Sequence, residues 1–92
     1  MSYKMTGILS EVFSEIQVSE KFKKREFVID VTNGEYVDNI KVQLTQDRCS
    51  LIDNYQILDK ITVSFNVRGR KWEKDGKVNY FTNIEGWRIE DN

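Results

Sequence analysis

Two short stretches carry most of the chemistry this sequence offers. KFKKR at residues 21–25 gathers Lys21, Lys23, Lys24 and Arg25 with no acid among them. RGRKWEKDGK at residues 68–77 sets Arg68, Arg70, Lys71, Lys74 and Lys77 against Glu73 and Asp75. Each stretch holds an aromatic, Phe22 in the first and Trp72 in the second, with Tyr80 close behind. Cations that neutralise phosphates, interleaved with π-faces on which bases stack, are the working parts of a single-strand binding surface. Stacking is worth roughly 1–3 kcal/mol per base, which gives a reason for a tryptophan in a charged segment that core packing does not.

Other chemistries are poorly served. Without histidine there is no histidine general base, no Ser-His-Asp or Cys-His constellation and no His-containing zinc site. One cysteine, Cys49, excludes a four-cysteine zinc or iron–sulfur site and an internal disulfide, and it is expected to be a small buried residue. The five glycines form neither a P-loop nor a dinucleotide-binding spacing. The 15 carboxylates are dispersed and show no calcium-loop pattern. No enzyme, cofactor or metal site is expected.

The chain has 92 residues, enough for a single domain over 1–92 with a small core. Hydrophobic residues make up 39% and charged residues 32%, and the mean hydropathy is -0.57, values that fit a globular chain rather than a disordered or membrane-spanning one. No apolar run approaches the ~20 residues of a spanning helix, and the opening MSYKMTGILSEVF has no signal-peptide core. A cytosolic location is the expectation. The net charge of -1 and pI near 5.4 argue against binding polyanions over the whole surface. Only the two basic segments run the other way.

The segments around these two stretches read as strands. Residues 60–68 alternate Ile61, Val63, Phe65 and Val67 with polar partners, and Ile40, Val42 and Leu44 alternate in the same way. Phe27, Ile29 and Val31 form another run, closed by the turn signal Thr32-Asn33-Gly34-Glu35. Residues 6–16 change phase, with Ile8 and Val12 expected inward and a bulge between them. In residues 78–89 the phase shifts at Gly86, from Tyr80, Thr82 and Ile84 to Trp87 and Ile89. Residues 47–58 instead space Leu51, Ile52, Tyr55 and Leu58 helically, with Asp47 as the expected N-cap. Five strands with a short helix between the third and fourth describe an all-β OB-fold, a Greek-key barrel. In that fold the two basic segments fall in the loops joining strands 1 and 2 and strands 4 and 5, which bind oligonucleotides and oligosaccharides.

Residues 63–84, VSFNVRGRKWEKDGKVNYFTNI, resemble the fourth strand, hairpin and fifth strand of bacterial single-stranded DNA-binding protein. The matching positions are Arg68, Arg70, Lys71, Trp72, Gly76, Tyr80, Thr82 and Ile84, and NYQILDK resembles the helix and its lead into that strand. The chain is more similar still to a short, single-domain bacterial OB-fold family of unknown function, whose pattern includes the stretch EIQVSEKFKKREF. The resemblance implies that Trp72 stacks on a base while Arg70 and Lys71 meet phosphate. Thr45 stands where that family places a stacking aromatic, with Tyr36 as a possible substitute. Glu26 and Asp30 would oppose a phosphate backbone if they lined the groove.

The expectation is a non-enzymatic module for single-stranded DNA, or RNA, with a homodimer possible. Phosphate contacts fall to Lys21, Lys23, Lys24, Arg25, Arg70, Lys71, Lys74 and Lys77. Trp72 stacks, Phe22, Tyr36 and Tyr80 are lesser aromatic candidates, and Lys41 and Gln43 lie on the strand 3 face. The alternative is a protein-interaction or oligomerisation module with an unidentified protein partner and no nucleic acid.

Overall fold

The alternation of apolar residues along the chain resolves into strands that close a ring. The computed structural model describes residues 2–91, so Met1 and Asn92 of the expected 1–92 domain lie outside the described residues. The strands are β1 (Ser2–Val12), β2 (Ile16–Ser19), β3 (Phe22–Asn33), β4 (Tyr36–Thr45), β5 (Lys60–Lys74) and β6 (Lys77–Asp91), with a 3-10 helix, Gln46–Asn54, between β4 and β5. The sheet order β1-β5-β6-β4-β3-β2 is closed by a further β1–β3 pairing. Strands β1, β3, β4, β5 and β6 thus form a closed five-stranded barrel, the OB-fold, with β2 attached only to β3. Closure removes the free edges that so short a chain would otherwise expose.

Leu9, Phe27, Ile29, Val42, Leu44, Ile61, Val63 and Ile89 fill the interior, and Ile52 of the helix packs beneath them. Cys49 is buried beside Ile52, as its composition suggested. Tyr55 packs at the same end and donates its hydroxyl to the Ile89 carbonyl at 3.0 Å.

Two close approaches require glycine. A Cβ on Gly7 would stand 2.3 Å from the Asp30 carbonyl oxygen, where β1 leaves β5 and crosses onto β3. A Cβ on Gly86 would meet Val42, Leu44 and Val63 at 3.1–3.4 Å, beside the bulge that leaves Trp87 unopposed in β6. That bulge is the phase shift visible in the sequence.

Several expectations need correction. A sixth strand, β2, pairs with the start of β3, so of residues 21–25 only Lys21 lies in the turn and the rest are strand. The charged residues there still alternate faces, and pairing across a short hairpin satisfies their backbone. The second basic segment is strand too, running in β5 to Lys74 and resuming at Lys77 around the two-residue turn Asp75-Gly76. In β1 it is Leu9, not Ile8, that points inward, because the bulge falls between Leu9 and Glu11. Asp47 is not the N-cap. Thr45 precedes the helix without a side-chain cap, and the helix is 3-10 and ends at Asn54, leaving Leu58 exposed.

Candidate nucleic-acid interface

The β5–β6 hairpin reaches well past the barrel. The radius of gyration is 14.4 Å, against about 12 Å for an evenly compact chain of this length. Asp75 and Gly76 both have positive φ, 53° and 76°, as a type I′ turn requires. That tight turn fixes the register: Lys74 faces Lys77, Trp72 faces Asn79, Lys71 faces Tyr80 and Arg70 faces Phe81. Because directly opposed residues share a face, Arg70, Trp72, Lys74, Lys77 and Phe81 stand together. Lys71 and Tyr80 stand on the other face.

The first of these faces bounds a groove of about 480 Å³ over the outer surface of β3 and β4, lined by Lys24, Glu26, Lys41, Gln43, Arg70, Trp72, Phe81 and Asn83. Strand phase explains the membership. Phe27, Val42 and Leu44 point into the core, so their neighbours Glu26, Lys41 and Gln43 point out. The parallel Gln43–Glu85 pairing places the β3–β4 surface beside β6. Trp72 is 39% exposed and Phe81 54%, half-covered walls with free ring surface. A smaller concavity, lined by Trp72, Lys74, Asp75, Lys77 and Asn79, continues the same face to the hairpin tip.

Electrostatics inside the groove are mixed. The Lys41 Nζ lies 3.4 Å from Glu26 Oε2, and the Glu26 side chain is only 20% exposed. Glu26 does line the groove, whereas Asp30 lies elsewhere, accepting a hydrogen bond from Asn39 Nδ2 at 2.6 Å.

Three basic residues of the two segments, Lys23, Arg25 and Lys71, are engaged in ion pairs. Arg25 donates from Nε to the Phe13 carbonyl at 3.0 Å and from its guanidinium to Asp53, tying the β1–β2 connection to the helix. Lys23 Nζ pairs with Glu15 at 3.7 Å, and Lys71 Nζ with Glu73 at 3.1 Å. Lys21 sits in the β2–β3 turn, where Gln46 clamps the backbone by donating to the Lys21 carbonyl at 2.7 Å and accepting from the Lys23 amide at 3.2 Å. Phe22 is half-buried in the strand phase of Lys24. Tyr36 is exposed at the far β3–β4 turn and shares the phase of Ile40 and Val42, not of Lys41 and Gln43.

The structure therefore brings Lys24, Lys41, Gln43, Arg70 and Trp72 into one groove, with Lys74 and Lys77 adjoining. Lys71, Tyr80, Tyr36 and the engaged Arg25 are not brought there. Sequence reasoning missed Phe81 and Asn83, although the Asp75-Gly76 turn contained the signal: counting back across a two-residue turn pairs Arg70 with Phe81.

Among the described residues, no group of three or more Cys, Asp or Glu side chains is placed to hold a metal ion, and no helix is long and apolar enough to cross a membrane.

The closed barrel, with a short helix between β4 and β5, defines an OB-fold protein. By its sequence the chain belongs to the family described as domain of unknown function DUF3127, whose model matches residues 4–90. Solved structures agree on the fold. The mitochondrial single-stranded DNA-binding protein Rim1 from S. cerevisiae is similar at a TM-score of 0.75 and 12% identity, over 99% of this chain and 93% of that one. A dimeric structure of the N-terminal domain of PriB protein from Thermoanaerobacter tencongensis is similar at a TM-score of 0.69 and 11% identity, over 99% and 94%. Comparison with curated proteins finds no match.

Proposed function

We propose that this protein is a non-enzymatic module that binds single-stranded nucleic acid along the groove between the barrel and the β5–β6 hairpin. One observation carries the reading: a single groove sets the cations Lys24 and Arg70 beside the free ring surfaces of Trp72 and Phe81. A phosphate backbone follows the cations while bases stack on the aromatic wall. Lys74 and Lys77 extend the track toward the hairpin tip. DNA is favoured over RNA because Rim1, which shares the fold, is described as a single-stranded DNA-binding protein. The setting in this reading is the bacterial cytosol.

Fluorescence anisotropy of a labelled single strand, titrated at several salt concentrations with a matched duplex as control, tests the reading. Preferential single-strand binding, quenched tryptophan emission and a log–log salt slope near ~-3 are expected. That slope corresponds to about four phosphates at roughly -0.7 each, met by Lys24, Arg70, Lys74 and Lys77. Equal affinity for the duplex, or a slope near zero, would overturn it.

A second reading has its own observation. The hairpin face away from the groove exposes Val67, Val78 and Tyr80, apolar surface that a second copy of the chain or another protein would cover. Sedimentation showing concentration-dependent association, lost on substituting Tyr80, would support a homodimer or protein partner there.

A further inference from the structure

The groove contains a carboxylate that phosphate binding alone does not explain. Glu26 lies on its floor with four-fifths of its side chain covered, and it would repel a phosphate placed there. Around it the groove is not uniformly cationic. Gln43 stands directly across the ladder from Glu26, and Asn83 of β6 lines the same space. Acceptor-only carboxylates and bifunctional amides are the groups that read base edges.

We infer that the groove holds a base-reading subsite selective for guanine, in which the Glu26 carboxylate accepts from N1–H and the N2 amine. This rests on the single-strand reading above. The charge layout separates the two parts of a nucleotide. Lys24 and Arg70 attract phosphate, Trp72 and Phe81 cover the base faces, and Glu26 with Gln43 forms the floor that the base edge meets. Guanine is the common base that presents two donors side by side, the pattern a carboxylate accepts through both oxygens. Adenine and cytosine each offer a donor beside an acceptor, and thymine offers one donor between two acceptors. The Gln43 amide supplies the donor for guanine O6. Lys41, 3.4 Å from Glu26 Oε2, holds the carboxylate in place. Among the described residues it is the sole ion-pair partner of Glu26.

The test compares a labelled thymine oligonucleotide with the same strand carrying isolated guanines, too few for quadruplexes, and with inosine replacing those guanines. The guanine strand should bind at least about fivefold tighter than the thymine strand, the lower end of the discrimination of a bidentate contact. Inosine, which lacks the N2 amine, should lose most of that preference. In Glu26→Gln the guanine-to-thymine affinity ratio should fall to within twofold, because an amide replaces one acceptor with a donor. Equal binding of thymine and guanine strands by the wild-type protein, or a preference that survives Glu26→Gln, would overturn the subsite while leaving single-strand binding intact. Failure to bind any of the strands would instead overturn the reading on which it rests. The inosine arm needs no protein variant, so a folding defect in Glu26→Gln leaves the test decisive.

Discussion

Trp72 and Tyr80 stand on opposite faces of one hairpin: Trp72 opposes Asn79 across the β5–β6 ladder, and Tyr80 opposes Lys71. Only Trp72 reaches the groove over β3 and β4. Two aromatics close in sequence and both exposed, at 39% and 72%, therefore separate into different surfaces.

Truncation should tell them apart. Trp72→Ala is expected to weaken single-strand binding by about tenfold, in line with roughly 1–3 kcal/mol per stacked base. Phe81→Ala should do the same to a smaller extent, and Tyr80→Ala should change it less than twofold. Anisotropy titrations read the affinities. Melting temperatures should stay within a few degrees, because the hairpin arm lies outside the core.

Charge reversal offers a second contrast. Lys24→Glu combined with Arg70→Glu puts two acids into the groove and should abolish binding at moderate salt. Lys71→Glu should leave affinity within about twofold, since its ammonium faces away and pairs with Glu73. Arg25→Met should act on stability instead, because its guanidinium links Phe13 to Asp53. The exposed Asp53 partner keeps that loss near ~1 kcal/mol. Urea denaturation beside anisotropy distinguishes the two effects.

Barrel closure depends on two glycines. Gly86→Ala crowds Val42, Leu44 and Val63, whose side chains can shift, and should cost about 1 kcal/mol. Gly7→Ala meets the backbone oxygen of Asp30, which cannot yield without parting β1 from β3, and should cost about 3 kcal/mol or more. At this size each kcal/mol moves the melting temperature by roughly 4–8 °C. Calorimetry should rank Gly7→Ala well below Gly86→Ala.

Alkaline pH should destabilise the fold. Burial pushes the Cys49 thiol up, and the Glu15 carboxylate adds to the rise. The folded state therefore keeps its thiol proton where the unfolded chain has lost it. This stability is fully present below the free-thiol value of about 8.5 and is lost as pH rises from there through the folded value. Tyr55, raised by burial and then by Asp91 and Glu90, adds a later loss above about pH 10. Urea denaturation at pH 7 and 9.5 should show a smaller difference for Cys49→Ala than for the wild-type protein.

Much of the architecture was legible because it is local. Alternation along Ile61, Val63 and Phe65 reports a half-buried strand directly, and the phase shift at Gly86 reports the bulge. The Asp75-Gly76 pair specifies a two-residue turn, and that turn alone assigns Trp72, Arg70 and Phe81 to one face. The helix was misjudged in its cap and length because 3-10 turns carry little periodic signal over nine residues. Ile8 was misplaced because the bulge at Ser10, two residues on, reverses the phase.

The groove itself was not legible. Strand phases, turns and the charge of each segment are set by neighbours a few residues apart and can be read along the chain. That Lys24 and Glu26 of β3, Lys41 and Gln43 of β4, and Arg70 and Trp72 of β5 share one space is visible only once the barrel is folded. That meeting depends on barrel closure and on the β4–β6 contact at Gln43 and Glu85. Strand pairing between distant segments is fixed by how their buried faces pack together, and the local pattern of any one strand fits many such pairings equally well.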